Sequence, residues 1–219
     1  MKKPKKLTKN KLTSPPIILS CENVLESVEQ AVYVACDILK KGGVIIYPTD
    51  TLYGLGCDGL NKKAVKRIFE IKQRSTTKLF SVVVNKENLH NVAFVDKKTE
   101  NIINTLAPGP FTFLLKPKKI VKYISSERLG IRIPDNLFCN VISKHFLFIT
   151  STSANLSGAP PVFDFKKLDQ NIASKVDLII NNGMCKYAGP STIIDLVDLK
   201  IIREGVLAQK ARDILKGAG

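Results

Sequence analysis

The stretch that decides the fold is residues 42–56, which read GGVIIYPTDTLYGLG. Apolar residues recur at helical spacing before it, and a pair of glycines is a common way to end a helix. Residues 44–47 form a short apolar run rich in β-branched side chains, which is typical of a buried strand. A polar loop begins at Pro48. Helix, glycine stop, buried strand and polar loop in this order indicate an α/β domain, in which ligand sites lie beyond strand ends.

The same alternation continues to the C-terminus. The patterns predict helices over 62–72, 99–106, 137–144 and 206–215, and strands over 80–84, 111–115, 129–133, 147–150, 176–180, 192–196 and 200–203. Strands that lie close together in sequence near the end favour a mixed sheet over a purely parallel one. We therefore predict an α/β fold with a mixed sheet and flanking helices, as a single domain over 20–219.

Composition excludes several classes of protein. The five cysteines lie far apart without ligand spacing, which indicates reduced core thiols in a cytoplasmic protein. Only His90 and His145 could supply imidazole, so we predict no metal site in the protein itself. The sequence has no apolar run long enough to cross a bilayer, and we expect no membrane partner.

The charge balance points to polyanions. The chain carries 34 Lys and Arg against 19 Asp and Glu, a formal net charge of +15. Six lysines precede residue 12, and we predict that residues 1–19 form a disordered basic tail. A basic surface favours nucleotide phosphates or tRNA as ligands. A general enrichment in lysine explains the charge equally well.

Three polar segments interrupt the core pattern. The loop 48–56 places two threonines, a carboxylate and a tyrosine close together, although an ordinary Ser/Thr turn would look similar. Lys72, Arg74 and Lys78 follow a helix, where they could clamp phosphates or simply oppose the helix dipole as solvated side chains. Residues 150–158, TSTSANLSG, offer neutral donors and acceptors, or a cap and a turn.

Taken together, these segments resemble the YrdC/TsaC family of threonylcarbamoyl-AMP synthases. The matching motifs, in order, are 48–56, Lys72-x-Arg74, Arg132-x-Pro134, Ser153-x-Asn155, Gly189-x-Ser191-Thr192 and Arg203. The resemblance covers residues 25–210. Within the family, the chain is similar to the short form, which lacks an extra C-terminal domain. It implies a twisted sheet with a large basic concave cavity on one face.

The resemblance also implies the chemistry. L-threonine and bicarbonate would give a carbamate that attacks the α-phosphate of ATP and expels pyrophosphate, a nucleotidyl transfer for the tRNA threonylcarbamoyladenosine (t6A) modification. Mg²⁺ would arrive on the phosphates, and a separate transferase complex would receive the product. Direct binding of tRNA is left open.

Site residues carried over from the family's motifs fall into three groups. Lys72, Arg74, Ser153 and Asn155 would be catalytic. L-threonine would bind at Thr51, Arg132, Ser153 and Ser191, and ATP at Arg74, Lys78, Asn155 and Arg203.

Some positions depart from the family pattern, and other functions compete. Ser75 and Glu204 stand where the family usually has proline, and Arg128 where it has a small hydroxyl residue. Arg132 and Arg203 could instead be surface ion-pair partners. A protein that binds RNA without catalysis is one rival, disfavoured by an aromatic content of 7% without tryptophan. A carbamoyl-transfer domain of a larger maturation protein is another.

Overall fold

A computed structural model describes residues 15–21, 24–76 and 79–217. Its ten strands form one mixed sheet in the order β1-β8-β2-β3-β7-β4-β6-β5-β9-β10. The strands are β1 Ile17–Ser20, β2 Ile45–Pro48, β3 Tyr53–Gly56, β4 Ser81–Val83, β5 Phe111–Leu115, β6 Leu129–Arg132, β7 Ile149–Ser153, β8 Leu178–Asn181, β9 Thr192–Asp195 and β10 Lys200–Arg203. The predicted α/β class with a mixed sheet is confirmed.

Seven helices flank the sheet. They are α1 Leu25–Lys40, α2 Lys62–Lys72, α3 Leu89–Val92, α4 Lys97–Leu106, α5 Leu137–Ile142, α6 Gln170–Ala173 and α7 Ala208–Gly217, with 3-10 turns at Lys86–Asn88 and Phe165–Lys167. None of the helices in the described ranges is long and apolar enough to cross a membrane. The helix predicted before residue 42 and the four predicted after it are all present. The bounds of α2 are as predicted, and the ends of the others differ by a few residues.

Helix α2 shows how local sequence sets the direction of the chain into the site. The Asn61 side chain caps its start by accepting from the backbone N–H groups of Lys63 and Ala64. Gln73 ends it in the left-handed conformation, with φ of 50°. This turn carries the chain from the end of the helix directly to Arg74.

Two strands were not predicted. Strand β1, Ile17–Ser20, pairs in parallel with β8. The sheet therefore begins within the predicted tail, and the predicted end of the tail at residue 19 is wrong. Two isoleucines and a leucine at this edge gain backbone hydrogen bonds by pairing. Residues 1–14 lie outside the described residues, and the prediction of disorder there stays a prediction.

The second missed strand reshapes the loop that follows β2. Tyr53–Gly56 turns back as β3 and pairs antiparallel with β2, so the loop shrinks to residues 49–52. Gly56 in β3 is needed because a Cβ there would lie 2.6 Å from the carbonyl oxygen of Thr150. Residues 53–56 are therefore part of the sheet, and the tight turn at 49–52 holds its polar side chains close together.

The third difference concerns the hydroxyl-rich segment. We predicted a strand over 147–150 and a polar loop after it, but β7 runs from Ile149 to Ser153 between β3 and β4. Its hydroxyl side chains therefore alternate between the two faces of the sheet. The interior position of β7 brings polar side chains to the middle of the sheet.

Candidate functional site

One cavity of about 370 Å³ opens on the face of the sheet where these polar side chains converge. Nine hydroxyl-bearing residues and three arginines contribute to its lining, namely Thr49, Thr51, Tyr53, Ser81, Thr112, Ser151, Thr152, Ser153, Ser191, Arg74, Arg132 and Arg203. No Asp or Glu lies among the described residues that line it. A cavity with this lining is suited to an anionic ligand that also accepts and donates hydrogen bonds.

The loop after β2 is fixed by Thr49. Its Oγ1 accepts from the backbone N–H groups of Thr51 and Leu52, at 3.1 Å each, and donates to the carbonyl oxygen of Leu52 at 2.6 Å. The Ser/Thr turn that competed with a functional interpretation is therefore present. It also serves the cavity, because it sets the position of Thr51, which is buried.

Arg132 ends β6 and is buried at 6% exposure. Its Nη2 pairs with the carboxylate of Asp50, and its Nη1 donates to Thr51 Oγ1 at 2.9 Å. Its Nε is buried without a hydrogen-bond partner in the described structure. A buried donor without a protein partner is uncommon, which marks Arg132 as a candidate site residue.

Arg74 lies just beyond α2 and is half-buried, contrary to the expectation of a solvated side chain. Its Nη1 lies 3.3 Å from Thr152 Oγ1 and its Nη2 lies 3.2 Å from the carbonyl oxygen of Leu79. The guanidinium sits over the Phe80 ring at 5.3 Å. Its Nε is also buried without a partner in the part of the chain described, so a second cavity arginine shares this uncommon feature.

Lys72 is buried and does not reach the cavity. Its Nζ donates to the carbonyl oxygen of Ser153, to that of Asn155 at 2.6 Å and to Asn155 Oδ1 at 3.4 Å. An ammonium group has three N–H donors, and these three oxygens occupy them. Burial, and then the nearby charge of Arg74, lower the pKa of Lys72 to about 8.

The predicted Ser153-x-Asn155 pair divides in the structure. Ser153 ends β7 and lines the cavity. Asn155 is buried, and its Nδ2 donates to the carbonyl oxygen of Ala159, which closes the loop beyond β7. Of the described residues, Lys72 and Asn155 form a support behind the cavity wall and are not part of its lining.

Ser191 and Arg203 both line the cavity and are hydrogen-bonded to each other. Arg203 Nη2 donates to the carbonyl oxygen of Ser191 at 2.7 Å and to its Oγ at 3.2 Å. Sequence reasoning missed Thr112, whose Oγ1 lies 2.8 Å from Ser191 Oγ. The signal was a polar residue between the buried aromatic residues Phe111 and Phe113 in one strand.

Two further positions raised by the sequence, Arg128 and Glu204, are not among the residues that line the described cavity. Lys78 lies outside the described residues, so its predicted role stays a prediction. Arg128 pairs with Asp195 at 3.1 Å and Asp198 at 3.3 Å, away from the cavity lining. Glu204 pairs with Arg212 on the surface.

Comparisons with known proteins identify the family. The Sua5/YciO/YrdC family model, described as "Telomere recombination", matches residues 37–205. A Methanocaldococcus jannaschii protein, provisionally named threonylcarbamoyl-AMP synthase, is 40% identical over 179 residues, which is 78% of this chain and 86% of that protein. A threonylcarbamoyl-AMP synthase of Wigglesworthia glossinidia brevipalpis is 33% identical over 178 residues, 76% of this chain and 90% of that protein.

Solved structures show the same fold. P. abyssi Sua5, crystallised with L-threonine, superposes with a TM-score of 0.82 at 25% identity over 92% of this chain. The chain spans 61% of the length of that Sua5 protein. E. coli YciO superposes with a TM-score of 0.76 at 30% identity, over 90% of this chain and 98% of YciO. The family that the motifs predicted is confirmed: the chain belongs to the Sua5/YciO/YrdC family.

Proposed function

We propose that this chain is an L-threonylcarbamoyladenylate synthase, a nucleotidyltransferase that makes threonylcarbamoyl-AMP and pyrophosphate from L-threonine, bicarbonate and ATP. Relatives named threonylcarbamoyl-AMP synthase align with 76–78% of the chain. The product serves the t6A modification of tRNA.

The single observation that carries the proposal is that Arg74 and Arg132 line the same cavity, whose described lining includes no Asp or Glu. Both arginines line one cavity, and both Nε groups lack a partner within the described structure. The reaction joins two anions, a carbamate and a triphosphate, so it needs fixed positive charge from at least two directions. Arg74, which has no carboxylate partner in the described structure, supplies uncompensated positive charge, and Arg132, which is paired with Asp50, supplies directed N–H donors.

The chemistry requires no covalent nucleophile from the protein. The threonine amine and bicarbonate give a carbamate and water. A carbamate oxygen then forms a bond to the α-phosphorus of ATP, and the bond to the bridging oxygen of pyrophosphate breaks. Positioning and charge neutralisation dominate such a transfer. The hydroxyls and arginines of the cavity are suited to both tasks.

Each residue of the cavity takes a role in this proposal. Arg132 receives the threonine carboxylate. Thr51 is hydrogen-bonded to Arg132, and Ser191 is hydrogen-bonded to Arg203. These two hydroxyl groups contact the rest of the amino acid. Arg74 receives phosphate oxygens. Ser153 contacts the carbamate from the end of β7.

The supporting residues act at one remove. Lys72 and Asn155 hold the end of β7 and the loop beyond it, and through them the Ser153 side chain. Arg203 orients Ser191 and faces the nucleotide. Lys78 extends the phosphate contacts of Arg74 in this proposal.

Magnesium enters as part of the substrate in this proposal. No group of three His, Cys, Asp or Glu side chains in the described ranges could hold a metal ion. The Asp50 carboxylate, which adjoins the cavity without lining it, is paired with Arg132. The protein residues present therefore do not fit a resident Mg²⁺, which often binds through substrate phosphates.

The cellular setting belongs to the same proposal. A cytoplasmic enzyme would hand its product to a separate tRNA threonylcarbamoyl-transferase complex. Direct contact with tRNA would come through the basic surface that the net charge of +15 provides.

Release of pyrophosphate from ATP tests the function directly. The purified protein should release pyrophosphate only when L-threonine and bicarbonate are both present, and the adenylate should be detectable by mass spectrometry. A matched reaction without bicarbonate controls for simple hydrolysis of ATP. Release that is indifferent to threonine would overturn the proposal and would favour a different nucleotide chemistry.

A further inference from the structure

We infer that Asp50 is a positioning residue that orients Arg132 for the threonine carboxylate and so sets the affinity for the amino acid. The inference rests on the proposed function. Asp50 is not a catalytic residue here, because it does not line the main cavity, as far as the described residues show.

Asp50 is buried and links three segments of the chain through its contacts. Its side chain has 0% exposure. One carboxylate oxygen pairs with Arg132 Nη2, and the other accepts the backbone N–H of Asp135 at 3.2 Å. The backbone carbonyl of Asp50 accepts from Tyr187 N at 2.8 Å. Asp50 therefore joins the turn after β2, the segment after β6 and the segment before β9.

Asp50 lies on the side of Arg132 that faces away from the cavity lined by the three arginines. Asp50 lines a second, smaller cavity of about 300 Å³ together with Asp135 and Lys186, whereas Arg132 lines the main one. The ion pair thus forms part of the wall between the two. Because Asp50 holds Nη2 from behind and Thr51 receives Nη1, the guanidinium plane is fixed and its Nε is left free.

Fixing a guanidinium matters because its donors lie in one plane. Two parallel hydrogen bonds to a carboxylate form only when that plane and the carboxylate plane align. A side chain held by two partners before the substrate arrives loses little freedom on binding. The structure thus gives Arg132 a charged partner that Arg74 lacks, since in the described structure Arg74 is held by the neutral groups of Thr152, Leu79 and Phe80.

The test is steady-state kinetics of Asp50→Asn with threonine and ATP varied separately. We expect the KM for threonine to rise at least ~10-fold, while the KM for ATP changes less than ~2-fold, because only one substrate meets Arg132. Charge alone would act in the opposite sense, since removing a carboxylate leaves Arg132 more attractive to an anion. A fall in the KM for threonine, or no change, would therefore overturn the inference.

Two further variants separate orientation from general loosening. Asp195→Asn removes a similar buried carboxylate that pairs with Arg128 outside the cavity, and it should leave the ratio of the two KM values unchanged. Asp50→Glu keeps the charge if the asparagine variant does not fold. Its extra methylene moves the carboxylate, so the KM for threonine should still rise selectively. A parallel rise in both KM values would assign Asp50 a merely structural role.

The wild-type protein distinguishes this inference from the proposed function. If wild type shows no threonine-dependent release of pyrophosphate, the proposed function fails. If wild type is active and Asp50→Asn leaves the KM for threonine unchanged, only the role of Asp50 fails.

Discussion

The two ends of the cavity hold their arginines in opposite ways. At the Arg132 end, formed by Thr51 and Arg132, a buried carboxylate neutralises the guanidinium and fixes its plane. At the Arg74 end, formed by Arg74 and Thr152, no described carboxylate is paired with the guanidinium, which rests on the Phe80 ring. One end is nearly neutral and rigid, and the other keeps its positive charge.

This difference matches the two kinds of anion in the proposed reaction. An amino-acid carboxylate carries one charge and needs orientation more than attraction. A triphosphate carries several charges and needs a positive field that is not already compensated. Each of the following experiments breaks or sharpens this division between the ends.

The largest effect is expected from the amino acid itself. Valine has nearly the shape of threonine but lacks the hydroxyl, so it cannot make the hydrogen bonds that a threonine hydroxyl would make with the hydroxyl-rich cavity. A site built to bond a hydroxyl can reject such an analogue by roughly 10⁴-fold in kcat/KM, about 5.5 kcal/mol. Competition kinetics with valine and threonine measure this ratio.

Serine is the matched control for valine, since it keeps the hydroxyl and loses only a methyl group. It should be used better than valine. The KM for ATP should not depend on which amino acid is present, because the Arg74 end does not contact the side chain. Equal turnover of valine and threonine would break the division at the Arg132 end.

Stability should distinguish the two arginines next. Arg132→Ala leaves the buried Asp50 carboxylate without its counter-charge, and breaking such a pair typically costs about 3–5 kcal/mol. Urea unfolding at neutral pH measures the loss. Replacing Asp50 and Arg132 together by neutral residues should recover part of it, because no uncompensated charge then stays buried. A loss below ~1 kcal/mol for Arg132→Ala would show that the pair is not held as described.

Arg74→Ala should show the reverse balance of activity and stability. It removes two long hydrogen bonds and one cation–π contact, which are worth about 1 kcal/mol together at a half-buried site. Activity should fall at least ~10-fold, which is about 1.4 kcal/mol, because a charge-assisted contact to phosphate is lost. Parallel measurements of kcat/KM and of the melting temperature test both statements.

Arg128→Ala is the control for Arg74→Ala. Arg128 forms ion pairs outside the cavity, so its removal should leave kcat/KM at the wild-type value. Wild-type turnover in a folded Arg74→Ala protein would remove Arg74 from the phosphate contacts.

The sequence predicted the fold well because long periodic segments decide it. The α2 helix over 62–72 and the β5 strand over 111–115 agree with the structure residue by residue. The β3 and β7 strands were harder, because glycines and hydroxyls favour loops locally. Pairing with neighbouring strands overrides that preference, and pairing is a property of the whole sheet.

The candidate site was predicted in composition but not in arrangement. The motifs supplied Thr51, Arg74, Arg132, Ser153 and Ser191, which the structure brings together around one cavity. The motifs do not distinguish a side chain that faces the cavity from one that supports it. Lys72 and Asn155 face backbone oxygens, because the direction of a side chain depends on the exact end of α2 and of β7.

The last test concerns the Arg74 end, where a second cation lies without a carboxylate. Burial and the charge of Arg74 lower the pKa of Lys72 to about 8, against an ordinary value of 10.5. Below pH 8 both the folded and the unfolded chain hold the proton. Between pH 8 and 10.5 the unfolded chain keeps it and the folded chain releases it, so this group makes the free energy of unfolding rise with pH. The gain should be about 1 kcal/mol between pH 8 and pH 9.

Lys72→Met removes the titrating group, and the other groups of the chain are common to both proteins. Urea unfolding of both across this range should therefore give two curves that diverge, with wild type gaining relative to the variant. Parallel curves would mean that the three oxygens around Nζ offset its burial and keep the ammonium charged across this range.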